Sequence, residues 1–113
     1  MKMIVAFIKE NKFDDVMLAL HKIDGLTGAS SSKVCGFGRD RSTHLPHQKR
    51  EISLECTSHF RLDIACQSDL VEQVVSAIKQ AAHTGLPGDG KIYVLPVEDS
   101  IRIRTGERGE TAV

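Results

Sequence analysis

FRLDIACQSDLVEQVVSAIKQAAHTGLPGDGKIYVLPV, Phe60 to Val97, runs from an alternating segment through a periodic one and a glycine-rich turn into a second apolar run. Phe60, Leu62, Ile64 and Cys66 alternate with other residues, the signature of a half-buried strand. Asp69, with Glu72 three positions on, resembles a capping box and starts a helix. Its buried face is Leu70, Val71, Val74, Val75, Ile78, Ala81 and Ala82, and it ends near His83. The segment from Gly85 to Gly90 then leads into Ile92 to Val97, read as a last core strand with apolar side chains on both sides.

Working back from Phe60, Ile52, Leu54 and Cys56 also alternate, with a turn expected near Thr57 and Ser58. Asp40 to Arg50 holds a proline, two histidines and several basic residues, with Leu45 as its one aliphatic residue. It reads as a long exposed loop. Ser30 to Phe37 is a second strand, stopped by Gly36-Phe37-Gly38. Phe13, Val16, Met17, Leu20 and Ile23 recur at three- and four-residue steps, which predicts a helix over about Lys12 to Ile23, ended by Gly25 and Gly28. Met3 to Lys9 is a buried strand. The order is βαββαβ, an α+β ferredoxin-like sandwich whose antiparallel sheet carries two helices on one face. In so short a chain the other face calls for burial by self-association.

With 113 residues the chain is expected to be a single domain, residues 1–113. Its 4% aromatic content and lack of Trp make the core aliphatic. Lys plus Arg and Asp plus Glu are 15 each, so there is no general attraction for nucleic acid or anionic lipid, and any anion site must be local. The apolar runs fall short of the roughly 20 residues that cross a bilayer, and MKMIVAFIKE is too short for a secretory signal, so a cytoplasmic location is expected. Cys35, Cys56 and Cys66 are an odd set without a C-x-x-C pair, which suits reduced thiols.

Three segments carry chemistry. TGLPGDGK, Thr84 to Lys91, has glycines whose backbone can turn several N–H groups toward one point, with Lys91 adding a cation. It is not a Walker A loop, since Ile92 follows Lys91 where a hydroxyl would hold Mg²⁺, and P-loop hydrolysis is disfavoured. IRIRTGERGE places Arg102 and Arg104 on one side of an extended segment and Ile101 and Ile103 on the other, so two guanidinium forks can face one ligand. A solvated edge strand is the alternative. Arg39, after the GFG turn, is a third candidate cation.

Together, GFGR at Gly36 to Arg39, TGLPGDGKIYV at Thr84 to Val94 and IRIRTGE at Ile101 to Glu107 resemble the nucleotide-binding and C-terminal motifs of the PII signal-transduction family, in the family's order. FDDVMLAL and DLVEQVVSAI look like its two helices, so the resemblance covers nearly the whole chain. It implies a homotrimer that binds ATP or ADP between subunits. Gly88, Asp89, Gly90 and Lys91 would hold phosphates with Arg39 nearby, and Arg102 and Arg104 would reach in from the neighbouring subunit. Phe7, Ser30, Gly36, Asp63 and Ala65 would lie around adenine and ribose, with Phe37 and Gly38 beside them in the GFGR motif. The loop over about 40–58 would be the effector loop that contacts a target, such as a membrane transporter or a metabolic enzyme. The expected role is regulatory, not enzymatic.

That loop departs from the family pattern. HQKREI at His47 to Ile52 has no tyrosine to be uridylylated, and Gln48 stands where an arginine would plug ammonium transporters. Asp40 replaces a glutamine that binds Mg²⁺ with 2-oxoglutarate, and His59 replaces a lysine that grips the acid, so ordinary 2-oxoglutarate sensing is not expected. A carboxylate at Asp40 could still bind Mg²⁺. His44 and His47, three apart, with Cys56 and His59 near in sequence, leave a metal-responsive regulator as an alternative, alongside an ATP-hydrolysing enzyme on the same fold. Asp14 and Asp15 suit the first turn of a helix and need no catalytic role.

Overall fold

The computed structural model describes residues 1–37 and 57–113. Six main elements follow in order: β1 (Lys2–Lys9), α1 (Phe13–His21), β2 (Ser30–Gly36), β3 (Thr57–Cys66), α2 (Val71–Ala82) and β4 (Lys91–Pro96). The strands form one sheet in the order β2-β3-β1-β4, and every neighbouring pair is antiparallel. β1 and β2 are therefore parallel with β3 inserted between them, and β3 and β4 are parallel with β1 between. These two interlocked split βαβ units make the predicted ferredoxin-like α+β fold.

Strand alternation divides the sheet. Ile4, Ala6 and Ile8 of β1 and Leu62, Ile64 and Cys66 of β3 are buried in one cluster with Val16 and Leu20 of α1 and Val71, Val74, Ile78 and Ala82 of α2. Both helices thus cover the same face. Phe13 and Phe60 stack at 4.3 Å between ring centroids at the edge of this core. Asp14 and Asp15 occupy the first turn of α1, where negative charge complements the helix dipole.

Several local expectations are corrected. Each helix is entered through a 3-10 turn, Glu10–Lys12 and Ser68–Leu70, and neither start has a side-chain cap bond, so the box read at Asp69 and Glu72 does not form. Packing of the apolar stripe holds these helices without it. Thr57 and Ser58 do not turn: they are the first residues of β3 and pair with Gly36 and Cys35. β4 is an edge strand and not a core strand, with Tyr93, Val94 and Leu95 all more than 40% exposed. Cys66 is a free buried thiol as expected, but Cys35 is disulfide-bonded. The strand expected over Ile52 to Cys56 and the loop from Asp40 to Arg50 lie outside the described residues.

Candidate functional site

The glycine-rich segment links the end of α2 to β4 and folds over the end of β1. Gly85, Gly88 and Gly90 all have positive φ. Gly90 is the tightest: a Cβ there would lie 1.7 Å from the carbonyl oxygen of Phe7, so no other residue fits without moving backbone. The approach follows from register, since Phe7 pairs with Lys91 at the point where the loop enters β4.

Asp89 organises this segment. Its carboxylate accepts hydrogen bonds from the backbone N–H of Thr84 (2.8 Å) and Gly85 (2.9 Å) and from the Thr84 hydroxyl. Lys9 Nζ lies 3.2 Å away and also donates to Thr84 Oγ1 at 3.0 Å, and His83 Nδ1 is at 3.6 Å. The Leu86 N–H donates to the same threonine oxygen at 3.1 Å. The bonds from Thr84, above all its hydroxyl, hold the Asp89 carboxyl well below the usual carboxylate range, helped by Gly85 and Lys9. Among the described residues no hydrogen bond reaches the backbone N–H of Gly88, Asp89 or Gly90, and Lys91 makes no ion pair.

The sheet face away from the helices carries the second group. Phe7 stands between Arg61 of β3 and Lys91 of β4. Its ring meets His59 and Tyr93 edge-on, with centroids 5.8 and 6.3 Å away, and the Arg61 guanidinium lies 5.9 Å from its centroid. Arg61 makes a forked pair with Asp63 at 3.0 to 3.2 Å. Ser30 pairs with Asp63 across β2 and β3. Ser30, Asp63 and Ala65 share a cleft of about 390 Å³ with Met3 and the chain from Thr27 to Ala29. Gly36 sits at the far end of β2, where a Cβ would meet the His59 imidazole at 3.3 Å. Phe37, just beyond, is exposed, and Gly38 and Arg39 lie outside the described residues.

The C-terminal segment is not extended as predicted. Ile101 bridges to Arg108, Arg102 N–H donates to the Glu107 carbonyl (2.9 Å) and Gly106 N–H to the Arg102 carbonyl (2.8 Å), so the chain reverses over Ile103 to Thr105. Asp99 and Arg108 brace the base at 2.5 and 3.1 Å. This arrangement leaves Ile103 fully exposed, with no apolar side packed down. Arg102 and Arg104 line a cleft of about 500 Å³ that shares Thr27 with the first one, whereas Lys91 lines neither. Within one chain the candidate residues therefore fall into three groups: the glycine loop, the sheet-face cleft and the C-terminal reversal.

Three participants escaped the sequence reading: Lys9, Arg61 and the Thr84 side chain. A hydroxyl residue five positions before an aspartate in a glycine-rich turn is a local signal for such a bond. The parts played by Lys9 and Arg61 depend on strand pairing. Among the described residues no group of His, Cys, Asp and Glu is placed to hold a metal ion, and no helix is long and apolar enough to cross a membrane.

Residues 1–107 match the family described as nitrogen regulatory protein P-II. The chain is 42% identical to the nitrogen regulatory protein P-II of Azospirillum brasilense and 42% identical to that of Rhodospirillum rubrum, in each case over all of both chains. The protein of the same name from Haemophilus influenzae is 41% identical, again over the full length of both. A ferredoxin-like sheet with this glycine loop, and full-length similarity to these regulators, mean that the chain belongs to the nitrogen regulatory protein P-II family of signal-transduction proteins.

Proposed function

We propose that this regulator is a homotrimer that binds an adenine nucleotide, ATP or ADP, between its subunits and passes the bound state to a partner protein through the loop over about 40–58. The observation that carries the reading is the glycine loop, whose Gly88 to Gly90 amides and Lys91 ammonium are, among the described residues, unengaged donors beside the sheet face away from the helices. Unengaged N–H groups and a cation suit phosphate oxygens. The cleft at Ser30, Asp63 and Ala65 on that face would take the base and ribose, together with Phe7 on the same face and Gly36 at the far end of β2. Arg102 and Arg104 would complete the site from a neighbouring subunit, because they lie in a separate cleft of their own chain.

Two sequence features bear on the output. The absence of a tyrosine at His47 to Ile52 rules against uridylylation there, and Asp40 with His59 disfavours 2-oxoglutarate, so nucleotide balance is the signal read. The family is one of regulators and the proposed role is not enzymatic: nucleotide would shift a population between loop states without turnover.

The test is calorimetric titration with ATP, ADP and AMP, with and without Mg²⁺ and 2-oxoglutarate, on the parent and on Lys91→Ala and Arg104→Ala, with light scattering to give the mass. Saturable ATP or ADP binding to a trimer, weakened in both variants, is expected. No binding by the parent overturns the proposal, and steady phosphate release lost in the variants would favour an enzyme.

A further inference from the structure

An anion-binding loop that carries a carboxylate has a sign problem, because Asp89 would repel the phosphates its neighbours attract. The geometry shows where that charge goes. A carboxylate offers about four lone-pair directions. Those of Asp89 meet the Thr84 N–H, the Gly85 N–H, the Thr84 hydroxyl and the Lys9 ammonium, with His83 Nδ1 further out. Its two ends of contact, at Thr84 and Gly85 and at its own position, close the loop on itself, and Lys9 fastens the closed loop to β1.

The loop needs such a fastening. Gly85, Gly88 and Gly90 all stand at positive φ, and glycine loses more conformational freedom on ordering than any other residue. An unfastened loop would lose that freedom when the ligand binds, and binding would weaken accordingly. The wedge of Gly90 against the Phe7 carbonyl fixes the exit, and the entrance is fixed through Asp89.

We infer that Asp89 is a positioning residue and not a phosphate ligand: with Thr84 and Lys9 it forms a clamp that pre-sets the loop, engaging the Thr84, Gly85 and Leu86 amides so that the Gly88 to Gly90 amides and the Lys91 ammonium face the anion. Lys9 is the counter-ion of the clamp. The inference rests on the nucleotide reading above, but the clamp has a readout of its own.

Asp89→Asn separates the two roles by sign. A carboxylate beside the phosphates would be a repulsive neighbour, and its neutralisation would tighten ATP binding. A clamp predicts the opposite. Titration of Asp89→Asn is expected to show ATP and ADP bound about tenfold more weakly, the order of a lost bond to a charged group, with adenosine binding unchanged. Amide hydrogen exchange of Thr84 and Gly85, followed by NMR, is expected to speed up in the same variant. Thr84→Ser should keep parental ATP binding and Thr84→Val should lose it, a pair that decides the matter if Asp89→Asn does not fold. ATP binding as tight as in the parent, or tighter, overturns the inference, and so does an equal loss for ATP and adenosine, which would mark a general loss of structure. If the parent binds no nucleotide the functional proposal fails, and the clamp then stands or falls on amide exchange: rates unchanged by Asp89→Asn overturn it.

Discussion

Gly90 is the residue at which backbone and function meet most closely. Its φ of +108° and the 1.7 Å approach of a Cβ to the Phe7 carbonyl act together, so Gly90→Ala must both strain the loop and push β1 and β4 apart. The variant is expected to lose more than about 2 kcal/mol of stability in a denaturant titration, a size reached only by a few mechanisms, of which a backbone clash is one. Asp89 provides a pH test. Its carboxyl lies well below the usual range because Thr84, Gly85 and Lys9 favour the charged form. A depressed aspartate gives stability that is complete above the unfolded value of about 3.9 and is lost as pH falls through the folded value. The Asp89 carboxyl carbon shift, followed by NMR, should therefore stay at its ionised position at pH of about 3.9, where a free aspartate is half protonated. Titration at that pH would contradict the clamp geometry. Gly88, Asp89 and Gly90 were legible as a loop from glycine spacing alone, whereas Lys91 opens β4. The contact of Asp89 with Lys9 was not legible, because Lys9 stands far away in the chain and meets it only through the sheet.

The helices and strands followed from periodicity where one face is buried. In α2, Val74 and Ile78 are fully enclosed at the positions that the three- and four-residue spacing marks. Ile78→Ala should cost about 2–5 kcal/mol in a denaturant titration, as buried truncations do. Leu18→Ala, on the exposed side of α1, should stay within about 0.5 kcal/mol of the parent. Element ends were less legible. The apparent capping box at Asp69 is a pattern of residue types, and the 3-10 turn at Ser68–Leu70 replaces its geometry. The C-terminal IRIR run alternates like a strand, yet it bends back because Glu107 and Gly106 pair with Arg102 and because Arg108 reaches Asp99. Short alternating runs are decided by the partner they find, and here the partner is the segment's own continuation.

The molecule as described is lopsided. One sheet face lies under two helices, and the other presents Met3, Phe7, Tyr93 and Leu95 beside the Arg61–Asp63 pair. Tyr93 is 49% and Leu95 44% exposed, on an edge strand that has no further neighbour among the described residues. Such an edge invites a second chain. If this face is the subunit contact of the proposed trimer, Leu95→Glu should lower the mass measured by light scattering and weaken ATP binding with it, while the circular dichroism of the single chain is kept. An unchanged mass would place the contact elsewhere.

The order of elements, the stripe that faces the helices and the glycine loop all rest on spacings of two, three or four residues, and those are written locally in the chain. The edge position of β4, the contact of Gly90 with Phe7 and the gathering of Lys9, Thr84 and Asp89 depend instead on which strands become neighbours. That choice is made when β1 inserts between β3 and β4 to bury Ile4, Ala6 and Ile8 beneath the helices. Burial of one apolar face thereby brings Lys9 within 3.0 Å of a hydroxyl 75 residues away, a proximity that no local pattern encodes.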